Sequence, residues 1–206
     1  MRVKLFFTAI AFFIVSGLCT LGGLMLRSYW QLDWGLNWLG KGLEIVFALG
    51  FIALHPQLNY ISVGLTKRVR SLGPVAIGGL LIIGFQAANS LFIGEDASFS
   101  KEGIAYQATM PGLAEEIGFR GVLLTLFNFS FGRPFTLLGA RVGWGMVAQA
   151  VLFTFPHCVS PDFHFNLWGL VVLPAALAFG WMTERAGSLL PAIVTHNVGN
   201  TLIQFL

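Results

Sequence analysis

Charged residues are scarce in this sequence, and their scarcity excludes an ordinary water-soluble domain. Lysine, arginine, aspartate and glutamate make up only 10% of the 206 residues, while 56% of the residues are hydrophobic. A typical soluble domain has about 25% charged residues, so a soluble fold of this composition would lack the polar surface that it needs. The composition therefore predicts a membrane protein, and we expect an all-α, polytopic transmembrane helical bundle.

Cysteine is nearly absent, and the two cysteines that occur follow no disulfide or metal-binding pattern. Cys19 and Cys158 lie within or at the end of apolar segments and lack paired spacing, which argues against a disulfide framework and a cysteine zinc motif. We interpret both as packing residues. The net charge is +3, but the basic residues are scattered between apolar runs, so we expect no nucleic-acid partner.

Apolar runs recur along the whole sequence, and about seven of them are candidates for membrane spans. They cover residues 5–26, 36–54, 74–93, 110–131, 142–156, 165–183 and 191–206. A span needs about 20 apolar residues, and no small-residue cleavage pattern follows residues 5–26, so we expect an uncleaved first helix. Residues 134–140 are interpreted as a turn region that is re-entrant or interfacial. We expect one membrane-embedded domain over residues 1–206, with a motif-bearing core from 110 to 206.

Basic residues are unevenly divided between the two ends of these runs, and this division predicts the orientation. Cytoplasmic loops of membrane proteins carry an excess of lysine and arginine. One side has eight basic residues, namely Arg2, Lys4, Lys67, Arg68, Arg70, Arg133, Arg141 and Arg185. The other side has Arg27, Lys41 and Lys101, the acidic residues Glu95, Asp96 and Glu102, and the headgroup-level aromatic residues Tyr29, Trp30, Trp34 and Trp38. We expect a bacterial or archaeal cell-membrane protein with a cytoplasmic N-terminus.

The stretch MPGLAEEIGFRG, residues 110–121, places three ionisable groups inside an apolar run. A charge inside a membrane costs roughly 2.5 to 3.5 kcal/mol by insertion scales, so such groups indicate a functional site. Residues four apart share one face of an α-helix, which puts Glu116 over Arg120. Glu115 projects about 100° away without a cation, and this suits a group that accepts and returns a proton. The alternative is a charge cluster that only stabilises a helix.

Two further apolar runs carry histidines that can meet this stretch. His157 ends one run, four residues after Phe153, and His196 lies in the last run, four residues before Asn200. The expected topology puts Glu115 and His157 at a similar depth in one leaflet, with His196 approaching from below. The alternatives are an interfacial histidine at 157 and simple interhelical hydrogen bonding by His196 and the neighbouring asparagines. His55 and His164 lack such companions.

A carboxylate, two histidines and an amide that converge in a wet pocket can activate water and stabilise an oxyanion. These are the functional groups that hydrolysis of an amide requires at a minimum. Glu115, His157 and His196 could instead be the ligands of one divalent metal such as zinc, because two histidines and a glutamate are a common catalytic set. Spacing on separate helices does not decide between the two possibilities.

Three strings in this order resemble the CAAX prenyl protease and bacteriocin-processing (Abi) family of intramembrane proteases: EEIGFR at 115–120, FTFPH at 153–157 and HNVGN at 196–200. The resemblance implies a helical membrane endopeptidase in which Glu115 and His157 activate the attacking water and His196 and Asn200 stabilise the oxyanion. It implies a supporting role for Glu116 and Arg120, and we expect Phe153 to support the site as well. Family members include metal-dependent and glutamate types, and we favour the glutamate type without a metal cofactor.

The sequence as a whole predicts an endopeptidase that cleaves a membrane-anchored protein or peptide within or near the lipid bilayer. The base count places the site toward the outer leaflet, whereas the eukaryotic prenyl-protein proteases act on cytosolic substrates, which argues against a prenylated CAAX substrate. Two other classes stay open: a non-catalytic scaffold or immunity factor that keeps the fold, and a small transporter whose buried charges relay protons.

Overall fold

A computed structural model describes residues 2–56, 69–93, 100–159 and 164–206 of the chain. Within these residues the fold is helical, and the predicted all-α class is confirmed. Four residues of the predicted loops, Lys67, Arg68, Glu95 and Asp96, lie outside the described residues.

Nine α-helices form the described fold, and most of them coincide with the apolar runs. The first four are α1 (Arg2–Tyr29), α2 (Trp38–Leu54), α3 (Leu72–Ile93) and α4 (Lys101–Gln107). The run at 110–131 is divided into α5 (Met110–Glu115), a π-helix (Glu116–Leu123) and α6 (Leu124–Phe131). The remaining helices are α7 (Trp144–Thr154), α8 (Val172–Ala186) and α9 (Leu190–Ile203), with 3₁₀ turns at Phe155–Cys158 and Leu167–Val171.

Three helical segments within the described residues are long and apolar enough to cross a membrane: Arg2–Tyr29, Leu72–Phe92 and Leu167–Ala186. The predicted count of about seven spans is not confirmed. The helices α2, α7 and α9 have 17, 11 and 14 residues, which is less than the about 20 residues that a straight span needs.

A β-hairpin replaces the turn region that was predicted at residues 134–140. Strands β1 (Phe135–Leu137) and β2 (Ala140–Val142) pair antiparallel around Leu138 and Gly139, which both have positive φ angles of 46° and 78°. This is the backbone of a two-residue hairpin turn. Two side chains of α8 hold the hairpin: Trp181 donates to the Leu137 carbonyl at 3.0 Å, and Arg185 donates to the Gly139 carbonyl at 2.8 Å.

The polar connection before residue 110 contains a short helix. This helix is α4, which begins after Ser100, whose hydroxyl accepts the backbone N–H of Gly103 at 2.8 Å. Such a cap satisfies an N–H group that the first helical turn leaves free. Helix α4 lies against α5 and α9 and thereby brings Tyr106 and Gln107 to the site.

Close contact between α1 and α2 sets the position of the second helix. Gly23 of α1 has no room for a Cβ, because the backbone of Leu39 and Gly40 lies against it. Small residues allow helices to approach this closely in membrane proteins. The next residue along α2 is Lys41, so this contact determines how far its side chain reaches toward α5.

Candidate active site

Glu115 and Glu116 lie where α5 becomes the π-helix, a change that the sequence analysis missed because it assumed an α-helix there. A π-helix is rare and frequently occurs at functional sites. Its segment EIGFRGVL contains Gly118 and Gly121, and glycine is among the weakest α-helix formers. The wider turn nevertheless preserves the predicted contact between residues four apart, since Arg120 Nη1 lies 3.1 Å from Glu116 Oε1.

Glu116 is bound from two directions and is shut off from the surface. Its side chain and that of Arg120 are 0% exposed. The Nδ1 atom of His196 lies 2.8 Å from the same Glu116 oxygen. A carboxylate paired with a guanidinium is an acceptor, so this ring nitrogen of His196 carries the hydrogen. Glu116 therefore orients the His196 ring as well as the guanidinium of Arg120, in the way that outer partners orient functional histidines.

The Arg120 guanidinium is held further by neighbouring helices. It donates to the Ala176 carbonyl at 3.3 Å, and its Cζ atom lies 4.3 Å from the centre of the Phe153 ring. A cation over an aromatic face is attracted by the ring quadrupole. Phe153 is buried and also makes an edge contact with Phe119. The FTFPH string thus contributes a wall behind Arg120 in addition to its histidine.

Glu115 faces the opposite way, and the expectation that it lacks a cation is wrong. Lys41 Nζ lies 3.0 Å from Glu115 Oε1, and His196 Nε2 lies 3.7 Å from Glu115 Oε2. The Glu115 side chain is 18% exposed and lines a cavity of about 450 Å³. One carboxylate oxygen therefore belongs to an ion pair, while the other is directed toward the histidine and the cavity.

His157 lies in the 3₁₀ turn that follows α7, where Pro156 is one of the first residues. Proline lacks an N–H and interrupts an α-helix, which explains why α7 ends at Thr154, just before this turn. The Nδ1 atom of His157 lies 3.0 Å from the Phe153 carbonyl. A carbonyl only accepts, so Nδ1 carries the hydrogen and the Nε2 atom of the neutral ring is an acceptor.

Asn200 is held by two amides that the sequence analysis missed. Its Nδ2 atom donates to Gln107 Oε1 at 3.2 Å, and its Oδ1 atom accepts from Gln86 Nε2 at 3.4 Å. Both glutamines line the same cavity. Gln86 could have been found from the sequence, because it lies in an apolar run and a polar side chain in a membrane helix needs a partner.

The cavity collects most of the predicted site residues on one wall. Glu115, Phe153, His157, His196 and Asn200 all line it, together with Lys41. Glu116 and Arg120 do not line the cavity and lie behind this wall. Asn197 has a separate task, since its Oδ1 atom accepts the backbone N–H of Gly112 at 2.8 Å. The three sequence strings therefore meet in space, as their helical spacing and depth predicted.

The metal alternative needs three donors that converge on one point. Within the described ranges, no group of three His, Cys, Asp or Glu side chains is placed to hold a metal ion. One Glu115 oxygen binds the Lys41 ammonium, and one His196 nitrogen binds Glu116. These contacts leave Glu115 Oε2 and the Nε2 atoms of His157 and His196 available, so the metal-free reaction stays a prediction.

Comparison with known proteins gives a family for the second half of the chain. Residues 103–202 match the model of the family described as Rce1-like, type II CAAX prenyl endopeptidase Rce1-like. No curated protein and no solved structure matches the chain. The matched region contains all three strings, whereas Lys41 and Gln86 lie outside it.

The match and the apolar helices together define the class of the protein. Three helical segments of the described chain can cross a membrane, and the matched family is a family of CAAX proteases. The chain is an integral membrane protein, and the resemblance to the CAAX protease family is confirmed. Residues 103–202, just under half of the chain, are similar to the Rce1-like family of type II CAAX prenyl endopeptidases.

Proposed function

We propose that this protein is an intramembrane endopeptidase of the glutamate type, which hydrolyses a peptide bond of a membrane-anchored protein or peptide. The observation that carries the proposal is the cavity wall on which Glu115, His157, His196 and Asn200 meet. These residues supply a base, a second proton acceptor and polar donors. They lie in the region that matches a protease family. No metal takes part in the proposed reaction.

The reaction begins with a water molecule between Glu115 and His157. Glu115 Oε2 takes a proton from this water, and His157 Nε2 orients it, while the water oxygen attacks the carbonyl carbon of the scissile bond. General bases of this kind contribute about 10²- to 10⁴-fold in rate. The C–O bond forms as the carbonyl electron pair moves onto its oxygen.

The resulting oxyanion lies opposite His196 and Asn200. The Asn200 amide has a second N–H for it besides the one bound to Gln107, and His196 donates through Nε2 in its doubly protonated form, with the Nδ1 hydrogen on Glu116. A single oxyanion donor is worth about 10²- to 10³-fold in kcat. Collapse of the intermediate re-forms the carbonyl and breaks the C–N bond. The proton held by Glu115 passes to the departing nitrogen, so that the products are a carboxylic acid and an amine and Glu115 returns to its starting state.

A large apolar groove beside the site supports a membrane-embedded substrate. The groove has a volume of about 870 Å³ and is lined by apolar side chains between α3, α7 and α8. It shares Phe85 and Ala175 with the catalytic cavity. An apolar part of the substrate, such as a membrane anchor or a lipid chain, can lie there while a peptide bond reaches Glu115.

A second space that adjoins the cavity has a volume of about 620 Å³ and shares His157, Val171 and Val172 with it. Asn166 and Trp168 lie on its far wall. Together with the apolar groove, this space gives an extended peptide two regions next to the cavity that it can occupy. This arrangement suits an endopeptidase, which must hold chain before and after the bond that it cuts.

We propose about seven helical passes through the bilayer, with a cytoplasmic N-terminus in a bacterial or archaeal cell membrane. Many outward-facing side chains of α1 and α3 are large and apolar, such as Phe7, Leu18 and Leu80, as expected against lipid. Several of the bases assigned to the cytoplasm lie at one end of the fold: the Arg70 N–H donates to the Ala186 carbonyl, and the Ser130 hydroxyl donates to the Arg2 carbonyl.

The opposite end supports a site in the outer leaflet. Trp38 donates to Glu102 at 3.0 Å, and Lys41 is the next charged residue along α2. These contacts support a position of Glu115 nearer the end that we assign to the outside. On this orientation the substrate is an externally exposed membrane-anchored chain, and prenylation is not required.

The test is cleavage by purified protein in lipid vesicles. The substrates are membrane-anchored peptides, with and without a prenyl group, and Glu115→Gln is compared with wild type and with Glu102→Gln as a carboxylate control away from the cavity. We expect Glu115→Gln to reduce kcat by about 10²- to 10⁴-fold. Glu102→Gln should leave kcat unchanged. A zinc chelator should not change the cleavage rate of the wild type.

The other outcomes separate the competing hypotheses. Inhibition by the chelator would overturn the glutamate type in favour of a metal enzyme. Equal cleavage by wild type and Glu115→Gln would overturn the assignment of Glu115. Product from neither, across both substrate classes, would favour a non-catalytic scaffold or immunity factor.

A further inference from the structure

The cation next to Glu115 comes from outside the region that matches the protease family. Lys41 lies on α2, whereas the match begins at residue 103. Its Nζ atom is 3.0 Å from Glu115 Oε1, and its side chain is only 15% exposed. A lysine this buried requires a partner, because an isolated charge is costly to remove from water.

Lys41 is held from the other side by Glu44, one turn further along α2. The Nζ atom lies 3.2 Å from Glu44 Oε2, and Glu44 itself is buried and accepts a hydrogen bond from the Thr20 hydroxyl of α1. The chain Thr20, Glu44, Lys41 and Glu115 thus links α1 and α2 to the catalytic carboxylate. Lys41 has two anionic partners, and only one of them faces the cavity.

Among the described charged and titratable groups around Glu115, no lysine or arginine other than Lys41 is available to pair with it. These groups are Lys41 and Glu44 on α2, Tyr106 on α4, Glu116 and Arg120 on the π-helix, His157 after α7 and His196 on α9. Arg120 is committed to Glu116 at 3.1 Å. Lys41 is therefore the cation that pairs directly with Glu115.

We propose that Lys41 is a positioning residue of the active site: it binds Glu115 Oε1 and thereby leaves Oε2 free for the attacking water. The inference rests on the proposed protease function. Two physical consequences follow from its bridging position between Glu44 and Glu115. The Glu115 carboxylate is fixed in one rotamer. Its Oε1 atom pairs with Lys41, and its Oε2 atom can accept the proton of the water.

Glu44 keeps the lysine paired during the reaction. When Glu115 Oε2 takes the proton from water, Glu115 becomes neutral and its attraction for Lys41 falls. Lys41 still has Glu44 at 3.2 Å, so no unpaired cation is left in the interior. When the proton passes to the departing nitrogen, Glu115 regains its charge and the ion pair with Lys41 re-forms.

The experiment measures kcat and KM for Lys41→Met and Lys41→Arg, using the membrane-anchored substrate that wild type cleaves. Lys101→Met, at an exposed lysine of α4, is the matched control. Lys41→Met should lower kcat by about 10²-fold or more and change KM only a few-fold, since Lys41 acts on Glu115 and not on the substrate. Lys41→Arg keeps the charge and should recover part of kcat, and Lys101→Met should match wild type.

Loss of fold is separated from loss of positioning by the double variant Lys41→Met/Glu44→Gln. The single change leaves two buried carboxylates without their cation, and the second change removes one of them. We expect the double variant to recover thermal stability in detergent while kcat stays low. Recovery of kcat together with stability would overturn the proposal, because Lys41 would then have a structural role only.

The remaining outcomes distinguish this inference from the proposed function. If wild type cleaves, Glu115→Gln does not and Lys41→Met cleaves with the wild-type kcat, the positioning role is wrong and the protease function stands. If wild type cleaves no substrate, the protease function fails and the positioning role fails with it.

Discussion

Glu115 and Glu116 are neighbours in the sequence, yet the two sides of the helix on which they lie are different environments. The Glu116 side chain is 0% exposed and binds Arg120 and His196. The Glu115 side chain is 18% exposed, pairs with Lys41 and lines the cavity. Consecutive helical residues point about 100° apart, so one step along the chain separates a carboxylate that holds the structure from one that is open to a substrate.

A membrane protein can keep a cavity-facing carboxylate in its interior when a neighbouring helix supplies a cation for it. Buried charges are tolerated when they are paired and hydrogen-bonded. Glu116 is paired within its own helix, four residues from Arg120, and this pair also orients His196. Glu115 takes its cation from α2 instead, which leaves the cavity side of its carboxylate unobstructed.

The sharpest test of this difference compares the stability of Glu116→Gln with that of Glu115→Gln. Glu116→Gln leaves Arg120 buried without an anion, and breaking a buried pair in this way costs about 3 to 5 kcal/mol. Glu115→Gln leaves Lys41 with Glu44, so its cost should be much smaller. Urea or thermal unfolding in detergent measures both free energies of unfolding.

The two variants should also differ in activity when they are compared at equal amounts of folded protein. Glu115→Gln is expected to be well folded and inactive, whereas the folded fraction of Glu116→Gln should keep part of its activity, reduced because His196 loses its carboxylate partner. Equal destabilisation by the two substitutions would contradict the division of tasks between the carboxylates.

A smaller effect is expected from Phe153→Leu, which tests the contact between the Phe153 ring and the Arg120 guanidinium. The Arg120 guanidinium lies 4.3 Å from the Phe153 ring centre, and a desolvated cation–π contact is worth about 2 kcal/mol. Phe155 stands two residues later in the same string but is 54% exposed, so Phe155→Leu is the matched control. We expect a loss of about 2 kcal/mol in the free energy of unfolding for Phe153→Leu and almost none for Phe155→Leu. Equal losses would show that the ring over Arg120 does not stabilise the buried pair.

Helical periodicity and the expected topology together predicted part of the arrangement of the candidate site. Glu116 and Arg120 were expected to meet because they are four residues apart, and His157 and His196 were expected near Glu115 because their runs reach a similar depth. Lys41 was visible as a charge within an apolar run, but it was interpreted only as a topology signal. The rule that singled out Glu115, that a charge in a membrane run indicates function, applies equally to Lys41 and would have identified it.

Other features depend on contacts that periodicity does not contain. The partners of Asn200 lie on α3 and α4, 114 and 93 residues away along the chain, and no local pattern relates such positions. The hairpin at residues 135–142 contains two strands of three residues each, which is too short for an alternating pattern to be recognised. Its conformation depends on Trp181 and Arg185 of α8.

A third glutamate, Glu102, extends the comparison to the surface, where the smallest effect is expected. It lies in the α4 connection that we assign to the outside and accepts the Gly35 N–H at 3.0 Å, the Trp38 indole N–H at 3.0 Å and the Leu36 N–H at 3.1 Å. These donors, first of all the Gly35 N–H, favour the ionised carboxylate and lower the pKa of Glu102 below its ordinary value of 4.5.

The direction of the pH effect follows from this lowered pKa. A carboxyl group whose pKa is lower in the folded state stabilises the fold above the ordinary value of 4.5, and that contribution is lost as the pH falls through the folded-state value. Glu102→Gln should therefore flatten the decrease in melting temperature below about pH 4.5, with little change at neutral pH beyond the weakened hydrogen bonds. The effect should be small because solvent screens a surface carboxylate. An unchanged pH profile would mean that these three donors do not distinguish the charged from the neutral group, and Glu102 would then resemble an ordinary surface glutamate.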